Sequence, residues 1–215
     1  MNCCGAIVGK KNATGSRSRG RRQRKVDTRE VRQRFLIVCE GECTEPNYFK
    51  AFQTPGEVVI TVIGVGESTL QLIEAATKKV KAREQGHYDQ VWCVFDRDDC
   101  KPDVIHRAMK LAKEADYRVA FSNQAFELWY LLHFDYHHTA ISRDTYCERL
   151  SQNLGYTYKK NSEDIYNALQ DRQTEAIRNA QRLLDEYETW QQPAERDPST
   201  TVHLLVEELN KHRRP

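Results

Sequence analysis

The sequence predicts an α/β fold: a mostly parallel sheet flanked by helices and continued by a helical C-terminal region. Two observations carry this. Between residues 34 and 122, short and continuously apolar runs alternate with segments of helical periodicity, the pattern of strands buried on both faces. Beyond residue 123 those runs stop, and amphipathic segments follow one another towards the C-terminus.

Taken in order, Arg34 to Cys39 forms the first strand, which breaks at Glu40-Gly41-Glu42-Cys43-Thr44-Glu45-Pro46. Thr44 is placed to cap a helix with Pro46 in its first turn, carrying Tyr48, Phe49 and Phe52. Thr54-Pro55-Gly56 stops it. Val58 to Ile63 is rich in β-branched residues and reads as the second strand. A Gly64-Val65-Gly66 turn leads into a helix whose inner face is Leu70, Ile73, Ala76 and Val80. Gln90 to Phe95 is the third strand. Pro102 opens a helix facing inward through Val104, Ile105, Ala108, Leu111 and Ala112, and Tyr117 to Phe121 is the fourth strand. Right-handed crossovers would set helices on both faces of such a sheet. Further helices are expected over Phe126 to Phe134, from a Ser142 cap through Leu150, from Ser162, over Thr174 to Trp190, and from Asp197-Pro198-Ser199-Thr200 onward. The expected organisation is a basic, disordered tail (1–33), an α/β core (34–122) and a helical extension packed on it (123–215).

Hydrophobic residues make up 39% of the 215 and charged residues 30%, which fits one soluble domain with a substantial core. No apolar run approaches the ~18 residues of a membrane span, and the N-terminus lacks the apolar stretch of a secretory signal. Seven cysteines without an evident framework suggest reduced thiols in a cytoplasm. Cys39 and Cys43 have no second pair at zinc-site spacing. The net charge of +2 conceals an asymmetry. Residues 1–34 hold 11 Lys/Arg against 2 Asp/Glu, a net of +9, and the remainder holds 22 against 29, a net of −7. Basic arms of this kind contact nucleic acid or remain simply solvated.

The chemistry points to one stretch. Val91-Trp92-Cys93-Val94-Phe95 runs into Asp96-Arg97-Asp98-Asp99, three carboxylates within four residues. Side chains at i and i+2 of a strand share a direction, so Asp96 and Asp98 are candidates to point together past the strand's end. Like charges that close repel unless a cation lies between them, and Mg²⁺ binds through one or two carboxylates plus waters and phosphates. The other reading is a loop or helix N-terminus where acids meet free amides. Glu40 occupies the same position after the first strand. Ligands of open parallel sheets bind beyond the strands' carboxyl ends. If the two strands are neighbours, three carboxylates converge there in a set suited to Mg²⁺-assisted phosphoryl chemistry.

Glu-Gly after the first strand and Asp-x-Asp after a later one resemble the Toprim domain of primases, topoisomerases and related nucleases. More narrowly, the chain resembles the RloB-like family of bacterial and archaeal proteins, which has a Toprim-like core. The resemblance covers about residues 34–212 and lies in Leu36 to Phe49, Val91 to Asp98, Ser122 to Trp129, and Asp197-Pro198-Ser199-Thr200. It implies a metal-dependent nuclease of a prokaryotic anti-phage or abortive-infection system, using Mg²⁺ or Mn²⁺ and cleaving RNA or DNA, with tRNA a candidate. An ABC- or AAA-type ATPase encoded nearby would be its partner, and a homo-oligomer is a further expectation. Glu40 matches the Toprim glutamate, as general base or metal-associated acid, and Asp96 and Asp98 match the metal-binding aspartates. Glu45 is the nearest match to a further acid of the first motif. The glycine that often follows Asp-x-Asp is replaced by Asp99-Cys100-Lys101-Pro102. The alternatives are a non-catalytic interaction subunit of a defence complex and a phosphoryl-transfer enzyme acting on nucleotides.

Glu127 falls in an otherwise apolar segment, where an unpaired carboxylate is costly to bury. It is either a fourth active-site acid or half of a structural ion pair. Ser122, Asn123, Ser199 and Thr200 read first as helix caps and second as phosphate contacts. Arg97 would face away from its flanking aspartates. His133, His137 and His138 read as a solvated turn, and Trp129, Tyr130 and Trp190 as core.

Overall fold

The computed structural model describes Met1 and residues 33–55, 58–82 and 86–212; the expected disorder of the basic tail falls outside them. Five strands form one sheet in the order β2-β1-β3-β4-β5. β1 (Gln33–Cys39), β2 (Val58–Gly64), β3 (Gln90–Asp96) and β4 (Arg118–Asn123) are parallel, so β1 and β3 are neighbours. Between them run α1 (Thr44–Lys50), α2 (Thr69–Ala82) and α3 (Pro102–Glu114). After β4 come α4 (Glu127–Leu131), α5 (Arg143–Leu154), α6 (Ile165–Leu169) and α7 (Gln173–Asp185), then β5 (Ser199–Thr200) and α8 (Val202–Asn210).

Strand alternation divides the core in two. Phe35, Ile37, Cys39, Trp92, Val94 and Ala120 point to one face, where α1 and most of the later helices bury their apolar sides. Leu36, Val38, Cys93, Phe95 and Phe121 point to the other, beneath α2 and α3. The continuous apolar runs therefore reflect strands covered on both sides. On the first face Tyr48 of α1 lies at the centre of an aromatic cluster. Its ring sits 5.3–6.4 Å from those of Phe49, Phe52, Phe126, Trp129, Tyr130 and Tyr166. Edge-to-face packing of this kind fixes α1 against α4, and the Tyr130 hydroxyl adds a 3.1 Å bond to the Thr44 carbonyl.

The structure departs from the sequence expectations in several places. Thr44 is the first residue of α1 rather than its cap, and its hydroxyl instead donates to the Lys160 carbonyl at 3.2 Å. Ser199–Thr200 is not a helix start but an antiparallel edge strand beside β4. Its two polar residues carry no strand pattern. The Thr201 amide donates to Phe121 O at 2.8 Å, and the Ser122 and Thr200 hydroxyls lie 2.8 Å apart. Leu111 and Trp190 are exposed rather than core, at 37% and 73%. His133 and His137 are buried rather than in a solvated turn; His133 bonds the Trp129 carbonyl through Nδ1, and burial pushes its pKa down to about 4. Among the described residues no helix is long and apolar enough to cross a membrane.

Candidate active site

The carboxyl ends of β1 and β3 set the site. The Glu40 amide donates to Val94 O at 2.9 Å, continuing the β1–β3 ladder one residue past β1 and holding Glu40 beside Asp96. Its carbonyl accepts from the Gly66 amide at 2.9 Å, tying it to the loop that leads to α2. Two glycines let the backbone close up here. A Cβ on Gly64 would meet the Gly41 carbonyl at 2.5 Å, and one on Gly41 would meet Glu45 Oε2 at 2.5 Å. Glu45, in the first turn of α1, thereby folds back against the loop and is buried.

Asp96 ends β3 and accepts the Phe126 amide on Oδ2 at 3.2 Å. The chain then turns: Asp98 has φ 46°, in the left-handed region where aspartate is tolerated. The alternation of a strand no longer governs its side chain, which is exposed and forms an ion pair with Arg143 of α5. Glu127, the first residue of α4, is 2% exposed. Tyr158 donates its hydroxyl to Glu127 Oε1 at 3.2 Å, and Lys160 Nζ lies 3.9 Å from the same oxygen.

Glu40, Glu45, Asp96, Asp98 and Glu127 thus line one open cleft of about 610 Å³, together with Glu42, Glu67, Arg143 and Lys160. The acids act on each other. Burial, then the charges of Glu45 and Glu40, push the Asp96 carboxyl up to about 8. Burial also raises Glu45, with Glu127's charge adding to it. Glu40 is raised by burial against the opposing 2.9 Å hydrogen bond from the Thr69 hydroxyl to Oε1. Its Oε2 is buried without a hydrogen-bond partner.

A family model described as RloB-like protein matches residues 35–209, most of the chain. The chain belongs to the RloB-like family. Among curated proteins no match is found. In this RloB-like chain the cleft offers oxygen donors of the kind a divalent cation takes. An orphaned carboxylate oxygen on Glu40, beside an aspartate whose burial and acidic neighbours resist its ionisation, is a donor set that a hard cation would satisfy. Among the described residues no three His, Cys, Asp or Glu side chains already stand close enough to hold a metal. Asp98 is engaged by Arg143 instead.

Other residues singled out from the sequence lie elsewhere. Ser122 and Asn123 are buried; the Asn123 amide donates to the Ala194 and Arg196 carbonyls at 3.1 Å, so both residues bind the returning chain rather than cap a helix. Arg97 faces away from the cleft, its charge acting on Asp197. Thr69, Arg143, Tyr158 and Lys160 were missed by sequence reasoning. Only Arg143 carries a local signal, following the Ser142 cap, whose Oγ accepts the Thr145 amide at 3.3 Å.

Proposed function

We propose that this protein is a Toprim-type, metal-dependent nuclease of a prokaryotic anti-phage system. The observation that carries the reading is the gathering of Glu40, Glu45, Asp96 and Glu127 at the carboxyl edge of the parallel sheet, with one buried glutamate oxygen left unpaired. Of these acids only Glu127 is paired with a cation among the described residues; a structural ion network would give the others one too, whereas a metal site leaves them for the metal. The defence role and the ATPase partner follow from the family resemblance.

Glu40, Asp96 and Asp98 would hold the cation, Mg²⁺ or Mn²⁺. When bound, it neutralises phosphate charge and lowers the pKa of water. Glu40, raised in basicity by burial, would take the proton of the attacking water on the carboxylate oxygen that it does not give to the cation. The water oxygen would bond to phosphorus as the ester P–O bond breaks, and the leaving oxygen would take up a proton, from Glu40 or from solvent. Tyr158 and Lys160 keep Glu127 oriented at the cleft wall, and a hydrogen bond from the Gly41 backbone holds Glu45.

The test is cleavage of labelled tRNA, single-stranded RNA and duplex DNA by the full chain in Mg²⁺ or Mn²⁺, with and without the neighbouring ATPase. Cleavage by the wild type that Asp96→Asn abolishes and chelation stops is the expected result. Turnover of nucleotides alone, or ATPase binding without any turnover, would replace this reading.

A further inference from the structure

We infer that Arg143 is the phosphate-binding residue of this cleft and that it exchanges Asp98 for the substrate phosphate; this rests on the nuclease reading above. Seven acidic residues line the cleft, Glu40, Glu42, Glu45, Glu67, Asp96, Asp98 and Glu127, against two cations, Arg143 and Lys160. A polyanion meets net repulsion there even after one divalent cation is bound, so a protein cation must help to hold it.

The two cations differ in what they already do. Lys160 lies 3.9 Å from buried Glu127, and its own carbonyl is held by the Thr44 hydroxyl. Releasing it would leave the buried Glu127 carboxylate with the Tyr158 hydroxyl but no cation, which is costly even though the Lys160 side chain is itself half exposed. Arg143 is paired with Asp98, and both side chains are partly exposed, at 37% and 41%. Exposed pairs of this kind are held by about 1 kcal/mol or less. Arg143 is fixed in the first turn of α5 behind the Ser142 cap, so the backbone keeps it at the cleft while the side chain can swing. Its charge already reaches Glu40 and Asp96, the residues nearest the reacting phosphate in this reading.

The guanidinium has five donors in a fork that matches two phosphate oxygens, a better partner than a single exposed carboxylate. A cation drawn to Asp98 would release Arg143, and the arriving phosphate would receive it. In the free protein Arg143 therefore stands in for the metal at Asp98; in the complex it holds the substrate. Metal and substrate binding would be coupled through one side chain.

The experiment uses the full chain and the Arg143→Ala and Arg143→Lys variants, with Arg149→Ala as a control on another face of the same helix. Calorimetric titration with Mn²⁺ alone should show Arg143→Ala binding roughly three- to fivefold tighter than wild type, because Asp98 is freed. Fluorescence anisotropy then follows an oligonucleotide that the wild type cleaves, kept uncut in Ca²⁺. Arg143→Ala should bind it about tenfold more weakly. Its slope of log affinity against log salt should fall by about one. Arg143→Lys should restore the salt slope but only part of the affinity, and Arg149→Ala should change neither. Weaker Mn²⁺ binding by Arg143→Ala, or an unchanged salt slope, overturns the inference while leaving the nuclease reading intact. Absence of Mn²⁺ binding and of cleavage in the wild type overturns the nuclease reading, and this inference with it.

Discussion

The two ends of the same sheet hold acidic residues in opposite ways. At the amino end Glu208 accepts bonds from Lys211 at 2.8 Å and from Gln90 at 2.9 Å, and Arg118 lies 3.5 Å away. These partners hold its carboxyl below the usual range. At the carboxyl end Asp96 is raised to about 8, Glu40 and Glu45 are raised as well, and Glu40 Oε2 has no hydrogen-bond partner. The first arrangement is complete without a ligand. Among the described residues the second has no cation paired with Asp96 or Glu40 to offset their burial, a pattern that functional sites share and that the proposed metal site would explain.

The largest expected effect separates the two ends by activity. Asp96→Asn should lower cleavage by at least about 10²-fold, whereas Glu208→Gln should leave the rate within about twofold in the same assay. The pH dependence of metal-free stability should separate them by sign. Asp96 has a folded pKa raised above its unfolded value, so its contribution favours folding below about pH 4 and is lost as pH rises towards 8. The melting temperature of Asp96→Asn should exceed that of wild type by a margin that grows from pH 4 to pH 8, read by differential scanning calorimetry. Glu208 is lowered, so its contribution is present at neutral pH and lost as pH falls through its folded pKa. Glu208→Gln should therefore destabilise at pH 7, and that difference should fade in acid.

A smaller effect is expected from the loop. Gly64→Ala places a Cβ 2.5 Å from the Gly41 carbonyl and should cost roughly 1–3 kcal/mol in urea unfolding. Glu208→Gln, acting on partly exposed partners, should cost about 1 kcal/mol or less at pH 7.

The four parallel strands were legible because burial on both faces makes them continuous apolar runs. Glu40 and Asp96 were legible because both fall where those runs end. β5 was not, since two polar residues form a strand only through the edge of β4 and the hydroxyls of Ser122 and Thr200. Asp98 was placed by strand alternation, but the left-handed turn after Asp96 ends that alternation, and a distant arginine takes its carboxylate. The residues that hold the acids in place escaped notice for the same reason. Thr69, Tyr158 and Lys160 lie 29, 31 and 33 positions from the carboxylates they serve, with no periodicity to link them.

The most direct test is a calorimetric Mn²⁺ titration of wild type, Asp96→Asn and Glu208→Gln side by side. The expected result is binding by wild type and Glu208→Gln that Asp96→Asn weakens by at least about tenfold. Equal Mn²⁺ affinity in all three proteins would contradict the assignment of the carboxyl edge as a metal site.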